Sequence, residues 1–137
     1  MLLGGPSQAN NARVDAAPAT AANERRQRHR VLVAQEPLAY RQAMAAALAE
    51  LRPAVEFAVV APQDLDAEVV RNRPDLVFCS QLGEVVWMRT SAWALLYPGG
   101  RRMVEVCIDG ERACAPDLGL DDALALVDLA LRLASGA

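Results

Sequence analysis

Two apolar runs set the frame of this chain. Val31-Leu32-Val33-Ala34 and Leu76-Val77-Phe78-Cys79 contain no polar residue, and each is followed at once by one, Gln35 and Ser80. Unbroken apolar runs of this length fit strands buried on both faces, as in the interior of a parallel sheet. Between them the pattern switches to helical spacing. Tyr40, Met44, Ala47 and Leu51 recur along one helix, which Pro37 opens and Pro53 stops. Val55 to Ala61 reads as a second strand, and Asp64 is placed to cap a short helix carrying Leu65 and Val69 that ends before Pro74. Strands alternating with helices imply parallel strands joined by right-handed crossovers, here in the order 2-1-3.

After Ser80 the alternation stops. Residues 81–90 are weakly patterned and fit a loop or a short helix. Ser91 to Tyr97 and Arg102 to Ile108 flank Pro98-Gly99-Gly100-Arg101 as a hairpin, and Asp109-Gly110 turns the chain into Glu111 to Ala115. Pairing across these turns sets Trp93 opposite Val106, Leu95 opposite Val104, and Val106 opposite Ala113. Trp93 is then expected in the core beneath the last helix. That helix opens at Asp121-Asp122, whose carboxylates suit the positive end of its dipole. Leu120, Leu124, Val127 and Leu131 form a stripe expected to cover the sheet; Leu126, Leu129 and Leu133 form a second stripe nearly opposite. A helix apolar on two sides is deeply buried or half of an interface.

The expected architecture is therefore α/β: a single three-layer domain over 30–137, with a parallel β-α-β-α-β core extended by a β-meander and a final helix. Residues 1–29 are rich in Ala, Asn, Pro, Ser and Gln with few large apolar groups, and are expected to form a disordered tail or an over-extended start.

Composition narrows the chemistry. The 14 basic residues are all arginine, so Schiff-base catalysis and a phosphate-loop lysine are excluded. A net charge of −3 argues against capture of nucleic acid, and the basic cluster Arg25-Arg26-Gln27-Arg28-His29-Arg30 reads as a solvated flank. Cys79, Cys107 and Cys114 lack metal-ligand spacing and lie in apolar strands, so they are expected to be small core residues in a reducing compartment. His29 is the sole histidine, which leaves a histidine triad or metal site without a candidate. Met1-Leu2-Leu3 is too short for a signal-peptide core, and no apolar run reaches membrane-spanning length. A cytoplasmic protein with no cofactor is expected.

Val31-Leu32-Val33-Ala34-Gln35-Glu36-Pro37 with Arg41, together with Arg73-Pro74-Asp75-Leu76-Val77, resembles the first half of a bacterial response-regulator receiver domain, from Arg30 to about Leu82. The resemblance implies a flavodoxin-like sheet. It also places Gln35 and Glu36 where the family carries an acidic pair, and Ser80 where it carries the phospho-accepting aspartate. The family's strand-four hydroxyl and strand-five lysine have no counterpart in the meander. Acyl-phosphate chemistry needs a carboxylate nucleophile, acidic Mg²⁺ ligands and a neutralising cation, so the resemblance implies a receiver that cannot accept a phosphoryl group.

Three functions compete on these residues. The first is a non-catalytic regulatory module acting by protein contact, with a protein partner or a second copy meeting Leu126, Leu129, Leu133 and Trp87. The second is a small-ligand site in the crevice above the strand ends, at Gln35, Glu36, Ser80 and Gln81, where open α/β sheets bind ligands. The third is an enzyme using Glu36, Ser80, Asp64 or Cys79, which lacks a base and is disfavoured.

Overall fold

The computed structural model describes residues 28–136. Most of the expected tail lies outside the described residues, but Arg28 and His29 are placed. His29 Nδ1 stands 3.0 Å from Asp75 Oδ2, and its Nε2 stands 3.0 Å from Ser135 Oγ. The chain then enters β1 (Arg30–Ala34), α1 (Leu38–Leu51), β2 (Glu56–Val59), α2 (Leu65–Asn72) and β3 (Leu76–Cys79). There follow α3 (Glu84–Arg89), β4 (Ala92–Leu96), β5 (Val104–Ile108), β6 (Glu111–Ala115) and α4 (Leu120–Gly136).

The strands form one six-stranded mixed sheet in the order β2-β1-β3-β4-β5-β6. β1 pairs in parallel with both β2 and β3, and β3 pairs in parallel with β4; β5 and β6 then run antiparallel. The weakly patterned 81–90 segment supplies α3, the crossover that makes β4 the fourth parallel strand.

Period-two alternation sorts the strand residues into two cores. Val31, Val33, Leu76, Phe78, Ala94, Leu96 and Val104 face α1 and α4, where they meet Met44, Leu48, Ala123, Val127 and Ala130. Leu32, Ala34, Val77, Cys79, Trp93 and Cys107 face α2 and α3, where they meet Leu65, Val69 and Val86. Helices thus cover both faces, giving the α/β three-layer arrangement. None of the described helices is long and apolar enough to cross a membrane.

Several expectations need correction. In α1 the buried residues are Arg41, Met44, Ala45 and Leu48, so the inward face is turned by about one position and Leu51 is 46% exposed. Asp64 sits at the N-cap of α2, yet its side chain makes no capping bond. Trp93 pairs with Cys107 and Leu95 with Glu105, one residue away from the expected register; Val106 does face Ala113. The slip arises in the connection: Tyr97 is left-handed at φ 48° and its N–H donates to Met103 O, which sets the hairpin one residue off the Gly-centred pairing. The slip changes which β5 residue shares a face with Trp93; Trp93 itself lies opposite Val77 of β3 and is buried with it beneath α2 and α3 instead of α4.

The last helix is also rotated. Ala123, Val127 and Ala130 meet the sheet, Leu124 and Leu131 pack on the flank, and Leu120 is exposed. The alanines let the helix approach the sheet closely, and the leucines close the sides. Asp122 accepts from Gly119 N at 3.0 Å, fastening the first turn in the manner of a capping box. Cys114 lies exposed on the outer strand and is not a core residue.

α1 and α4 are joined by a fork-to-fork pair. Arg52 Nε and Nη2 each donate to an Asp128 carboxylate oxygen at 2.8 Å. That bond holds the Asp128 carboxyl below its ordinary value near 3.8. Its contribution to stability is therefore present above the unfolded chain's value and is lost as pH falls through the lowered one. In urea unfolding, Asp128→Asn is expected to be less stable than the natural chain at neutral pH. The difference should shrink as the pH falls below the ordinary carboxylate range and through the lowered value.

A second comparison tests the rotated face of α1. Leu48→Ala should cost about 2–5 kcal/mol, because Leu48 is fully buried. Leu51→Ala should change stability by about 0.5 kcal/mol or less. Equal losses at the two positions would contradict the packing described above.

Candidate functional site

The carboxyl edge of the parallel strands places the sequence candidates as follows. β1 ends at Gln35 and Glu36, and β3 ends at Ser80 and Gln81. Because β1 and β3 are hydrogen-bonded neighbours, their ends meet: the Glu36 N–H donates to Ser80 Oγ at 2.8 Å. Ser80 and Gln81 line a hollow of about 200 Å³ on the α2 and α3 side, with Ala34, Pro62, Asp66 and Gly83 among its walls. The Glu36 side chain is exposed.

Gln35 does not belong to this hollow. It is fully buried and turned toward α1, where its Nε2 lies 2.8 Å from Met44 Sδ and its Oε1 finds no partner. Beside it Arg41 is also buried, with Nη1 3.4 Å from Gln35 O and Nε unpartnered. No carboxylate is within ion-pair distance of Arg41 among the described residues, so its burial is not offset by an opposite charge there. The four crevice candidates thus separate into exposed Glu36 and Gln81, half-buried Ser80, and one core residue, Gln35.

Asp66 and Gly83 are crevice residues that the pattern of the chain did not single out. A side chain added at Gly83 would meet Asp66 Oδ1 at 3.4 Å. The signal available was Gly83 standing immediately before a helical turn, in a segment too short for periodicity to speak.

The chemistry of this edge is limited. Ser80 Oγ accepts a backbone N–H, and among the described residues no group of three or more His, Cys, Asp or Glu side chains could hold a metal ion. Burial pushes the Cys79 thiol up to about 12, which removes it as a nucleophile near neutrality.

A more spacious hollow lies at the opposite, amino edge. It spans about 740 Å³, and its walls include Arg28, His29, Arg30, Arg73 and Asp75. Much of this charge is already matched: Arg30 Nε donates to Glu56 and its Nη1 faces the Asn72 carbonyl, while Arg71 pairs with Glu68. Arginines at the carboxyl end of α2 complement the negative end of that helix. Arg25 and Arg26 of the basic cluster lie outside the described residues.

The contact candidates also divide. Leu126 packs partly buried against the α4 core, whereas Leu129 and Leu133 line an open hollow of about 530 Å³ with Ser91 and Asp109. Leu133 is 40% exposed. Trp87 is 49% exposed on α3; its ring lies 5.8 Å from that of Trp93, and the Arg112 guanidinium stacks 4.7 Å above it. Trp87 is therefore part of an aromatic pair with a guanidinium over it, and half of its surface stays open.

No family model matches the chain, and no curated protein or solved structure matches it either.

The cysteines give a direct check on this geometry. At pH 8.5, iodoacetamide is expected to modify Cys114 in the native protein and to reach Cys79 only after unfolding, as read by peptide mass. Rapid native labelling of Cys79 would show that the carboxyl edge opens.

Proposed function

We propose that this chain is a non-catalytic, receiver-like regulatory module that acts through protein contact and does not accept a phosphoryl group. The observation that carries the proposal is the Glu36 N–H donated to Ser80 Oγ where β1 and β3 end side by side. A phospho-accepting site needs that position to be a carboxylate facing further carboxylates and a cation. Here a neutral hydroxyl is engaged as an acceptor, Gln35 is withdrawn into the core, and Glu36 is the lone acid of the resemblance's acidic pair.

Two further features support the same function. The hollow at the strand ends, about 200 Å³, falls below the usual size of ligand pockets. Beyond β4 the chain also abandons the parallel alternation that would supply the rest of a phosphotransfer site.

Incubation with Mg²⁺ and acetyl phosphate should leave the intact mass unchanged under conditions that phosphorylate an active receiver. A stable phosphoryl adduct, on Ser80 or elsewhere in the domain, would overturn the proposal. A thermal-shift screen with small metabolites should likewise show no stabilisation, since nothing is expected to fill the crevice.

A further inference from the structure

β6 is the outermost strand, and all five of its residues, Glu111 to Ala115, are exposed. Among the described residues no strand pairs with its outer side. Natural edges are blunted by proline, bulges, or charges that project across them. The strand interior contains no proline, and its register with β5 runs without a bulge from Val104–Ala115 to Ile108–Glu111. Its one cation does not guard the edge. Arg112 Nε donates to Glu105 Oε2 at 2.6 Å, and the guanidinium carbon lies 4.7 Å from the Trp87 ring centroid and 5.7 Å from that of Trp93.

The turn before β6 determines which backbone groups are free. Asp109 and Gly110 both have positive φ, 52° and 86°, as in the mirror-image two-residue hairpin turn. In such a hairpin the flanking pair, Ile108 with Glu111, exchanges both backbone bonds, and hydrogen-bonded pairs then alternate. Glu111, Ala113 and Ala115 therefore point N–H and C=O inward at β5. Arg112 and Cys114 point theirs outward.

We propose that β6 pairs antiparallel with β6 of a second copy of this chain, with Ala113 on the two-fold axis. This deepens the regulatory-module proposal by naming its partner, and it rests on that proposal only for the biological role of the contact. In this register Arg112 of each copy exchanges backbone bonds with Cys114 of the other. Ala113 meets its own symmetry mate in the close, non-hydrogen-bonded pair, where a small side chain fits best. Glu111 lies opposite Ala115 and Arg112 opposite Cys114, so no like charges stand directly across the seam. Shifting the register by two residues toward the turn would instead set Arg112 against Arg112, which is unfavourable.

The second apolar stripe of α4 belongs to the same surface. Asp128 is tied to Arg52 of α1, and Leu120 and Ala123 line the groove against α1. At 100° per residue, Leu126, Leu129 and Leu133 occupy the flank turned away from α1. Leu129 and Leu133 accordingly border Asp109 of the β5–β6 turn. A two-fold perpendicular to the sheet brings the two α4 helices to one side of a continuous sheet, with these flanks turned toward each other.

One short strand and a few leucines bury less than a standard interface, so the dimer is expected to be weak and concentration-dependent. Light scattering on the full chain should show the mass rising from 14.7 kDa toward twice that value with concentration. Cys114→Pro removes an outward N–H that β5 does not use. It should hold the protein at monomer mass with an unchanged far-ultraviolet spectrum. Ala113→Cys combined with Cys114→Ser should form a disulfide-linked dimer under mild oxidation, while the natural chain, whose Cys114 residues lie diagonal across the seam, should not.

A monomer at every accessible concentration would overturn the dimer, as would cross-linking through Cys114 with none through position 113. Neither result would touch the phosphoryl-acceptance experiment, so failure here is distinct from failure of the regulatory-module proposal.

Discussion

The fold depends on one strand. β1 is hydrogen-bonded along both edges, to β2 and β3, and buried on both faces, with Val31 and Val33 against α1 and Leu32 and Ala34 against α2. A strand in that position leaves no side from which water can satisfy its backbone, so both neighbours and both helical layers must be present together. The requirement is cooperative. It also fixes the place where the ends of β1 and β3 converge, which is why Glu36 and Ser80 touch although they are far apart in sequence. The amino end is secured in the same way. Asp75 Oδ2 accepts from Arg30 N and stands beside His29, so the start of β1 is clamped to the entry of β3.

What could be read from the chain, and what could not, follows the same physics. β1 and β3 were legible because burial on both faces demands unbroken apolar runs, and their adjacency follows from the handedness of crossovers. The second hairpin was legible because Asp109-Gly110 admits one compact turn. The first hairpin was not. Pro98-Gly99-Gly100 marks a reversal without fixing its length, and Tyr97 enters a left-handed conformation that its residue type does not announce. That torsion changed the β5 partner of Trp93 from Val106 to Cys107. The rotation of α4 was hidden for a different reason. Leucine stripes suggest the buried face, but Ala123 and Ala130 permit a closer approach to the sheet than leucine would.

The candidate site was legible in location and only partly in composition. Topology alone identified the strand ends as the crest of the sheet. It could not show that Gln35 turns inward to Met44, or that Arg41 is buried beside it without an acid. Both are properties of side-chain packing. An inward glutamine and a buried arginine stand near where the resemblance implies acidic ligands for a metal. Such an arrangement favours a rigid crest over a titratable one, because a burial cost already present is increased by any new unpaired charge.

The change from parallel to antiparallel pairing after β4 links the fold to the proposed function. A receiver-like sheet that continued with parallel strands would cover its far edge with further helices. The hairpin instead adds β5 and β6 without a crossover, and so without a helix of their own. α4 must then serve two purposes, covering β4 and β5 with its alanine face while its entry is held at the end of β4, where the Tyr97 hydroxyl donates to Asp117 and accepts from Leu118 N–H. Among the described residues, β6 is left with exposed residues and an unpaired outer backbone edge. That unpaired edge of β6 follows from the replacement of strand–helix alternation by a meander.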